Sequence, residues 1–309
     1  MEALLDVILP VFIVIGAGYL AVWRGYFSAA AVETLTLFAQ RFAIPVLLFQ
    51  AISRLDLSQN IDPHLLISFY GGASLGFSAG FLGARYLFRR PLPDAVAIGF
   101  VGLFSNSVLL GIPITERAYG ADVLDWTFAI IAFHAPFCYA LGITAMEIVR
   151  AEGKGPLAVA AAAGRAMFKN TLILAIALGF LVNLTGVNLP ETLGDAIAII
   201  ASAALPTALF GLGGVLVSYR PEGDLRIVLY LCGVSLILHP ALAFVLAQGF
   251  GLSQDALRAA VLTGAMAPGV NSFIFANMYG VGKRVAATTV LVATALSILT
   301  VWGWLLVLP

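Results

Sequence analysis

The sequence predicts an all-α membrane protein of ten transmembrane helices, arranged as a 5+5 inverted repeat in which the fourth and ninth helices are broken and cross. Three observations predict this. Apolar residues make up 61% of the 309 positions and charged residues only 10%, whereas soluble domains carry about 25% charged residues. The apolar positions gather into ten runs, each close to the roughly 20 residues that cross a bilayer. Landmarks in the first five runs recur in the last five.

The ten runs lie at about 4–22, 34–52, 64–87, 94–117, 123–148, 169–188, 191–217, 227–251, 256–280 and 284–308. Length alone suggests two soluble domains, but these runs leave no room for one. The leader MEALLD is acidic, so the first run is read as a membrane span and not as a cleaved signal. In the second run Pro45 is read as a tolerated kink, and Arg41 as a side chain that snorkels toward an interface, with a role in drawing in anions as the alternative. Gly71, Gly72, Gly76 and Gly80 give the third run a surface for close helix packing. The fourth run, AVAIGFVGLFSNSVLLGIPITERAYG, carries Ser105, Asn106 and Ser107 in its middle, then Gly111 and Pro113. His134 and Cys138 fall in the fifth. Residues 151–168 are expected to form a cytoplasmic linker between a first repeat, 1–150, and a second, 169–309.

The second repeat echoes the first at one offset. AIPVLLF (43–49) recurs as ALPTALF (204–210), 161 residues on, and the same offset separates Asp94 from Asp255. Both Asp residues stand at the start of an apolar run, where they are expected to be N-caps. Pro206 in the seventh run is a kink like Pro45. His239 and Cys232 lie in the eighth, and the two cysteines are read as small apolar fillers. The ninth run, ALRAAVLTGAMAPGVNSFIFANMYG, resembles the fourth in content: a breaker pair, Pro268-Gly269, then Asn271-Ser272, then a closing Tyr-Gly. Five spans separate matching elements, and because five is odd the second copy must sit inverted, which is a transporter architecture.

Charge sets the orientation. One set of alternate connectors holds Arg24, Arg85, Arg89, Arg90, Arg150, Lys154, Arg165, Lys169, Arg220, Arg226, Lys283 and Arg284; the other holds only Arg54, Arg117 and Arg258. The side with twelve is expected to be cytoplasmic, which puts both termini outside.

A helix broken within lipid frees backbone N–H and C=O groups that need partners. Two broken helices meeting near the midplane can satisfy them with Asn and Ser side chains and with a bound solute. Each inward-pointing helix N-terminus adds about half a positive charge, which favours an anion. Ser105, Asn106, Ser107, Asn271 and Ser272 are therefore the candidate substrate-binding residues, and Gly111, Pro113, Pro268 and Gly269 the candidate helix breakers. The competing reading is that these polar groups only bridge helices. Asn277 is read as solvated at the membrane edge.

The motif Asn106-Ser107-x-x-x-Gly111-Ile112-Pro113 and the segment from Pro268 to Ala276 with Tyr279 resemble the auxin efflux carrier family, which includes bacterial organic-acid permeases. The resemblance spans the whole chain. It implies a scaffold of spans 1, 2, 6 and 7, a moving transport domain made of the rest, elevator-type motion and a homodimer. It also implies that Asn106 binds the substrate carboxylate and that the protein resides in a bacterial inner membrane. The central connector is short and the second crossover differs from the plant pattern, so auxin itself is a doubtful substrate.

Absences narrow the function. No Asp or Glu lies mid-span, which disfavours a sodium–proton antiporter. No Asp pair, Ser/His arrangement or H-E-x-x-H helix suggests an enzyme, no Cys/His spacing suggests a metal, and neither a cofactor nor a nucleic-acid partner is expected. His134 and His239 are candidates for proton coupling. The reading is a carrier of a small organic anion bound where helices four and nine cross. A sodium-coupled symporter of bile-acid type is the alternative, because Asn, Ser and carbonyl groups can hold sodium. A ligand-sensing receptor is the reading from outside the carriers.

Overall fold

The computed structural model describes residues 3–150, 161, 164, 171–218 and 224–309. Apart from Ala161 and Gly164, the expected linker lies outside the described residues, as do Lys154, Arg165, Lys169 and Arg220. The described chain is helical, with no strand. The helices are α1 (Leu9–Trp23), α2 (Ala29–Phe38), α3 (Ile44–Arg54), α4 (Leu57–Asn60), α5 (Pro63–Leu82), α6 (Leu92–Leu103), α7 (Ile112–Tyr119) and α8 (Leu124–Arg150). They continue with α9 (Thr171–Thr185), α10 (Glu191–Ser202), α11 (Ala204–Leu216), α12 (Leu225–Gly233), α13 (His239–Gly249), α14 (Gln254–Ala265), α15 (Val270–Tyr279) and α16 (Lys283–Val307). Among the described residues, seven continuous helical stretches are long and apolar enough to cross a membrane: Asp6–Trp23, Ala29–Arg54, Pro63–Leu87, Ala121–Arg150, Glu191–Leu216, Leu225–Gly249 and Lys283–Val307. α6 and α9 are shorter apolar helices.

Local sequence explains most helix bounds. The second stretch begins at Ala29, ahead of its predicted start, because the Ser28 hydroxyl accepts from the Ala31 N–H at 3.1 Å. The expectation that Asp94 and Asp255 are N-caps is corrected. Pro91 precedes α6 and Ser253 caps α14, its hydroxyl accepting from Ala256 N–H at 3.3 Å. Both Asp residues sit in the first turn, where their charge still complements the helix dipole. Four prolines leave a mark inside the spans, whereas Pro136 sits within the unbroken α8 and the wide turn Gly83–Leu87 has no proline two residues after it. Wide, π-type turns at Ala3–Ile8, Ala39–Ala43, Ser107–Gly111 and Val234–Leu238 each end two residues before a proline: Pro10, Pro45, Pro113 and Pro240. A proline ring clashes with the carbonyl four residues back and offers no N–H, so the preceding turn opens.

Packing divides the helices into two groups. The first holds 3–23, 29–54, 171–185 and 191–216. Its two seams are close: an added Cβ on Gly18 would strike the Phe210 carbonyl, and one on Gly213 the Ile15 carbonyl, so α1 and α11 meet backbone to backbone. Asn183 Nδ2 donates to the Ile52 and Leu55 carbonyls at 3.0 and 2.7 Å, tying α9 to α3. The second group holds 63–87, 92–119, 124–150, 225–249, 254–279 and 283–307. Here α5 and α6 touch at Gly76 and Gly102, whose carbonyls face each other's Cα at 2.6 and 2.7 Å from an added Cβ. The Tyr70 hydroxyl donates to the Ile130 carbonyl at 2.6 Å and Trp304 Nε1 to the Leu236 carbonyl at 2.9 Å.

Candidate functional site

Two helices of the second group are interrupted in mid-run. α6 ends at Leu103, and Phe104 is extended (φ −96°, ψ 96°) before the chain turns again at Ser107. α14 ends at Ala265, Met266 is extended (φ −68°, ψ 143°), and α15 restarts at Val270. The two interruptions pair as an antiparallel bridge between Ser105 and Pro268. Asn106 N–H donates to the Ala267 carbonyl at 2.8 Å and Gly269 N–H to the Phe104 carbonyl at 3.1 Å. Backbone groups freed by one break are thus satisfied by the other, as an apolar surrounding requires. Phe100 and Phe275 stack at 4.0 Å with ring planes 5° apart and hold α6 against α15.

Polar side chains complete the breaks. Asn106 Oδ1 accepts from Leu109 N–H at 3.3 Å and caps the turn that leads into α7. Asn271 Oδ1 accepts from the Tyr139 hydroxyl at 3.1 Å. His134 Nε2 donates to the Ser105 carbonyl at 3.1 Å, which leaves Nδ1 to accept from the Cys138 thiol at 3.8 Å. The amide Nδ2 groups of Asn106 and Asn271 make no hydrogen bond to the described residues. Buried Ser105 Oγ and Ser272 Oγ also lack partners among the described residues.

A cavity of about 500 Å³ adjoins these groups. One wall comes from the first helix group, with Gln40, Arg41, Ile44, Leu48, Thr171 and Ile176. The other comes from the second group, with Ser105, Asn106, Ser107, His134, Tyr139, Val270 and Asn271. Arg41 brings a formal charge, and no carboxylate lines the cavity among the described residues. The wall carries the N-terminal ends of α15 and of the turn leading into α7, so its dipoles add to that positive character.

Of the residues the sequence singled out, Ser105, Asn106, Ser107, Asn271 and His134 meet at this cavity. Ser272 is buried behind Asn271 in sequence and does not line it. Pro268 and Gly269 form the second interruption. Gly111 and Pro113 follow the first interruption and do not make it; the break comes at 104–106, and Pro113 only widens the turn after it. His239, the first residue of α13, lies outside the cavity and faces α5 and α14, with Nε2 3.3 Å from the Phe69 carbonyl. Tyr139, Gln40 and Thr171 are cavity residues that sequence reasoning missed, and Arg41 faces the cavity where an interface was expected. The signal that could have found Tyr139 is its position five residues after His134, on a span already carrying a polar side chain. Among the described residues, no group of three His, Cys, Asp or Glu could hold a metal.

A family model described as "Membrane transport protein" matches residues 3–305. A Rhizobium meliloti (strain 1021) protein named "Putative malonate transporter" is 27% identical over 308 residues, covering 99% of this chain and 96% of its own. The "Uncharacterized transporter YfdV" of Escherichia coli (strain K12) is 24% identical, with 97% and 96% covered. "Auxin efflux carrier component 5" of Arabidopsis thaliana is 22% identical, with 95% and 93% covered. The chain belongs to the membrane transport protein family, that of the auxin efflux carriers, and is an integral membrane transporter, not an enzyme.

Proposed function

We propose that this transporter carries a small organic anion, bound in the cavity between the two helix groups. The observation that carries the reading is a pair of unpaired amide donors, Asn106 and Asn271, in a cavity with Arg41 and no lining carboxylate among the described residues. Carboxylate oxygens only accept hydrogen bonds, so this donor-rich wall suits them. The printed name of the Rhizobium meliloti relative supports the same substrate class.

In this reading the broken stretches 92–119 and 254–279 are the fourth and ninth of ten spans and cross at the bridge between Ser105 and Pro268. Residues 1–150 and 169–309 are inverted repeats joined by the cytoplasmic linker at 151–168. The first helix group is the scaffold. The second group slides against it as an elevator, carrying Asn106 and Asn271 with the substrate. Small-residue and hydrogen-bonded seams within each group, with a cavity between groups, support motion as two rigid units. The charge asymmetry supports an inner-membrane protein with both termini outside. Its working form is a homodimer, and His134 is the candidate for proton coupling on the cavity wall.

A sodium-coupled symporter is the second reading, favoured by the unpartnered hydroxyls of Ser105 and Ser272 beside the interrupted backbone. Uptake of labelled mono- and dicarboxylates into proteoliposomes tests both, with wild type beside Asn106→Ala, with and without sodium and a proton gradient. Saturable flux of one acid, reduced at least tenfold by the substitution, is expected. A sodium requirement selects the symporter. Binding without flux indicates a sensor, and undiminished flux in Asn106→Ala removes that residue from the site.

A further inference from the structure

We infer that Arg41 is the counter-charge for a second substrate carboxylate, which makes the transported anion a dicarboxylate. This deepens the carrier reading above and rests on it. Arg41 is the thirteenth residue of the 26-residue stretch Ala29–Arg54. At 1.5 Å per residue it lies roughly 18 Å from either end, too far for its side chain to snorkel out. A guanidinium at that depth is costly unless it faces water or a partner. It faces the cavity, and it makes no ion pair or hydrogen bond among the described residues. The wide turn Ala39–Ala43, opened by Pro45, is the backbone feature that carries Gln40 and Arg41. Such turns inside α-helices are frequent at functional sites.

The position of Arg41 decides the substrate class. Its charge comes from the first helix group and the amides of Asn106 and Asn271 from the second, all lining the one cavity. An acid with one carboxylate can engage one wall and leaves the other polar set unmatched. An acid with two carboxylates bridges them, one group on the amides and helix N-termini and the other on the planar guanidinium fork, which matches a carboxylate bidentately. Charge agrees: two helix N-termini at about half a charge each and one Arg balance a dianion. The cavity, about 500 Å³, falls in the range that holds small ligands.

The test is uptake of labelled malonate by proteoliposomes, with unlabelled propionate, the three-carbon acid with one carboxylate, as competitor. Wild type, Arg41→Gln, Arg41→Lys and Asn106→Ala are reconstituted in equal amounts. The expected result is that wild type prefers malonate. In Arg41→Gln the malonate KM rises at least tenfold, while the propionate inhibition constant stays within twofold, which also shows that the variant is folded. Arg41→Lys, which keeps the charge but loses the bidentate fork, retains only part of the preference. An unchanged malonate KM in Arg41→Gln, beside loss of flux in Asn106→Ala, overturns the inference and leaves the carrier standing. Parallel weakening of both acids in Arg41→Gln overturns it too, since that is a packing effect. Absence of saturable flux of any acid in wild type overturns the carrier reading, and the inference with it.

Discussion

Asn271 presents its amide donors to the cavity because its oxygen is already engaged by the Tyr139 hydroxyl. An Asn side chain can flip its oxygen and nitrogen, and only the partner fixes which end faces a ligand. Tyr139→Phe removes that partner while keeping the ring that packs against Phe100 and Phe104. A net hydrogen bond is worth about 0.5–1.5 kcal/mol, so the KM for the transported anion should rise roughly two- to tenfold. The amount of folded protein should not change. An unaltered KM in Tyr139→Phe would show that Asn271 keeps its orientation unaided. Asn106, Asn271, Ser105 and Ser107 were legible in the sequence because polar residues in an apolar run beside Gly and Pro are conspicuous, while Ser272, marked by the same signal, does not line the cavity. Tyr139 was not, since a Tyr in a span usually reads as an interfacial residue. Arg41 was visible but misplaced: sequence shows that a charge lies within a span and not which way it points.

At the scale of elements, glycine and proline divide the work. Proline opens the turn before it, and glycine sets how closely two helices approach. The α1–α11 seam depends on Gly18 and Gly213, each opposite a backbone carbonyl that cannot yield as a side chain could. Gly213→Ala should push these helices apart and cost about 1–3 kcal/mol, the usual range for overpacking. Thermal unfolding of the purified protein in detergent reads this as a lowered Tm. Gly233→Ala, where an added Cβ meets nothing within 4 Å, should leave the Tm unchanged or slightly raised, as Ala suits a helix better than Gly, and serves as the matched control. Equal Tm values for both variants would mean that the seam is loose. Helix content and most span bounds were legible, because hydropathy acts over twenty residues and averages out local detail. The ends were less so. Pro91 and Ser253 displace Asp94 and Asp255 from the caps, and the break in the fourth run precedes its Gly and Pro by several residues. Both shifts come from local backbone chemistry that a hydropathy pattern does not report.

At the scale of the molecule, the orientation that the charge distribution implies puts the cavity and the Arg117–Asp6 contact toward opposite faces. Thr171, at the first described turn of α9, lines the cavity, and it follows Lys169 on the arginine- and lysine-rich side. On the other side Arg117, at the end of α7, donates from Nε to the Asp6 carbonyl at 2.9 Å and also through its terminal nitrogen. That contact links the second helix group to the first where the chain is poor in basic residues. If the two groups slide, the Arg117–Asp6 contact must break as the cavity turns to the other face. A thiol reagent that does not cross membranes should therefore label Thr171→Cys from the cytoplasmic side, in a protein whose buried Cys138 and Cys232 are replaced by Ala. The transported anion should slow the labelling by filling the cavity. Adding Arg117→Gln removes contacts worth about 0.5–1.5 kcal/mol from this state alone. The population should move toward the opposite face, and labelling should slow by up to tenfold. Labelling that is fast from the cytoplasmic side and indifferent to Arg117→Gln would keep the cavity's orientation and assign its closure to the apolar packing of Val7 and Ile8. Labelling only from the outer side would reverse the orientation that the charge distribution implies.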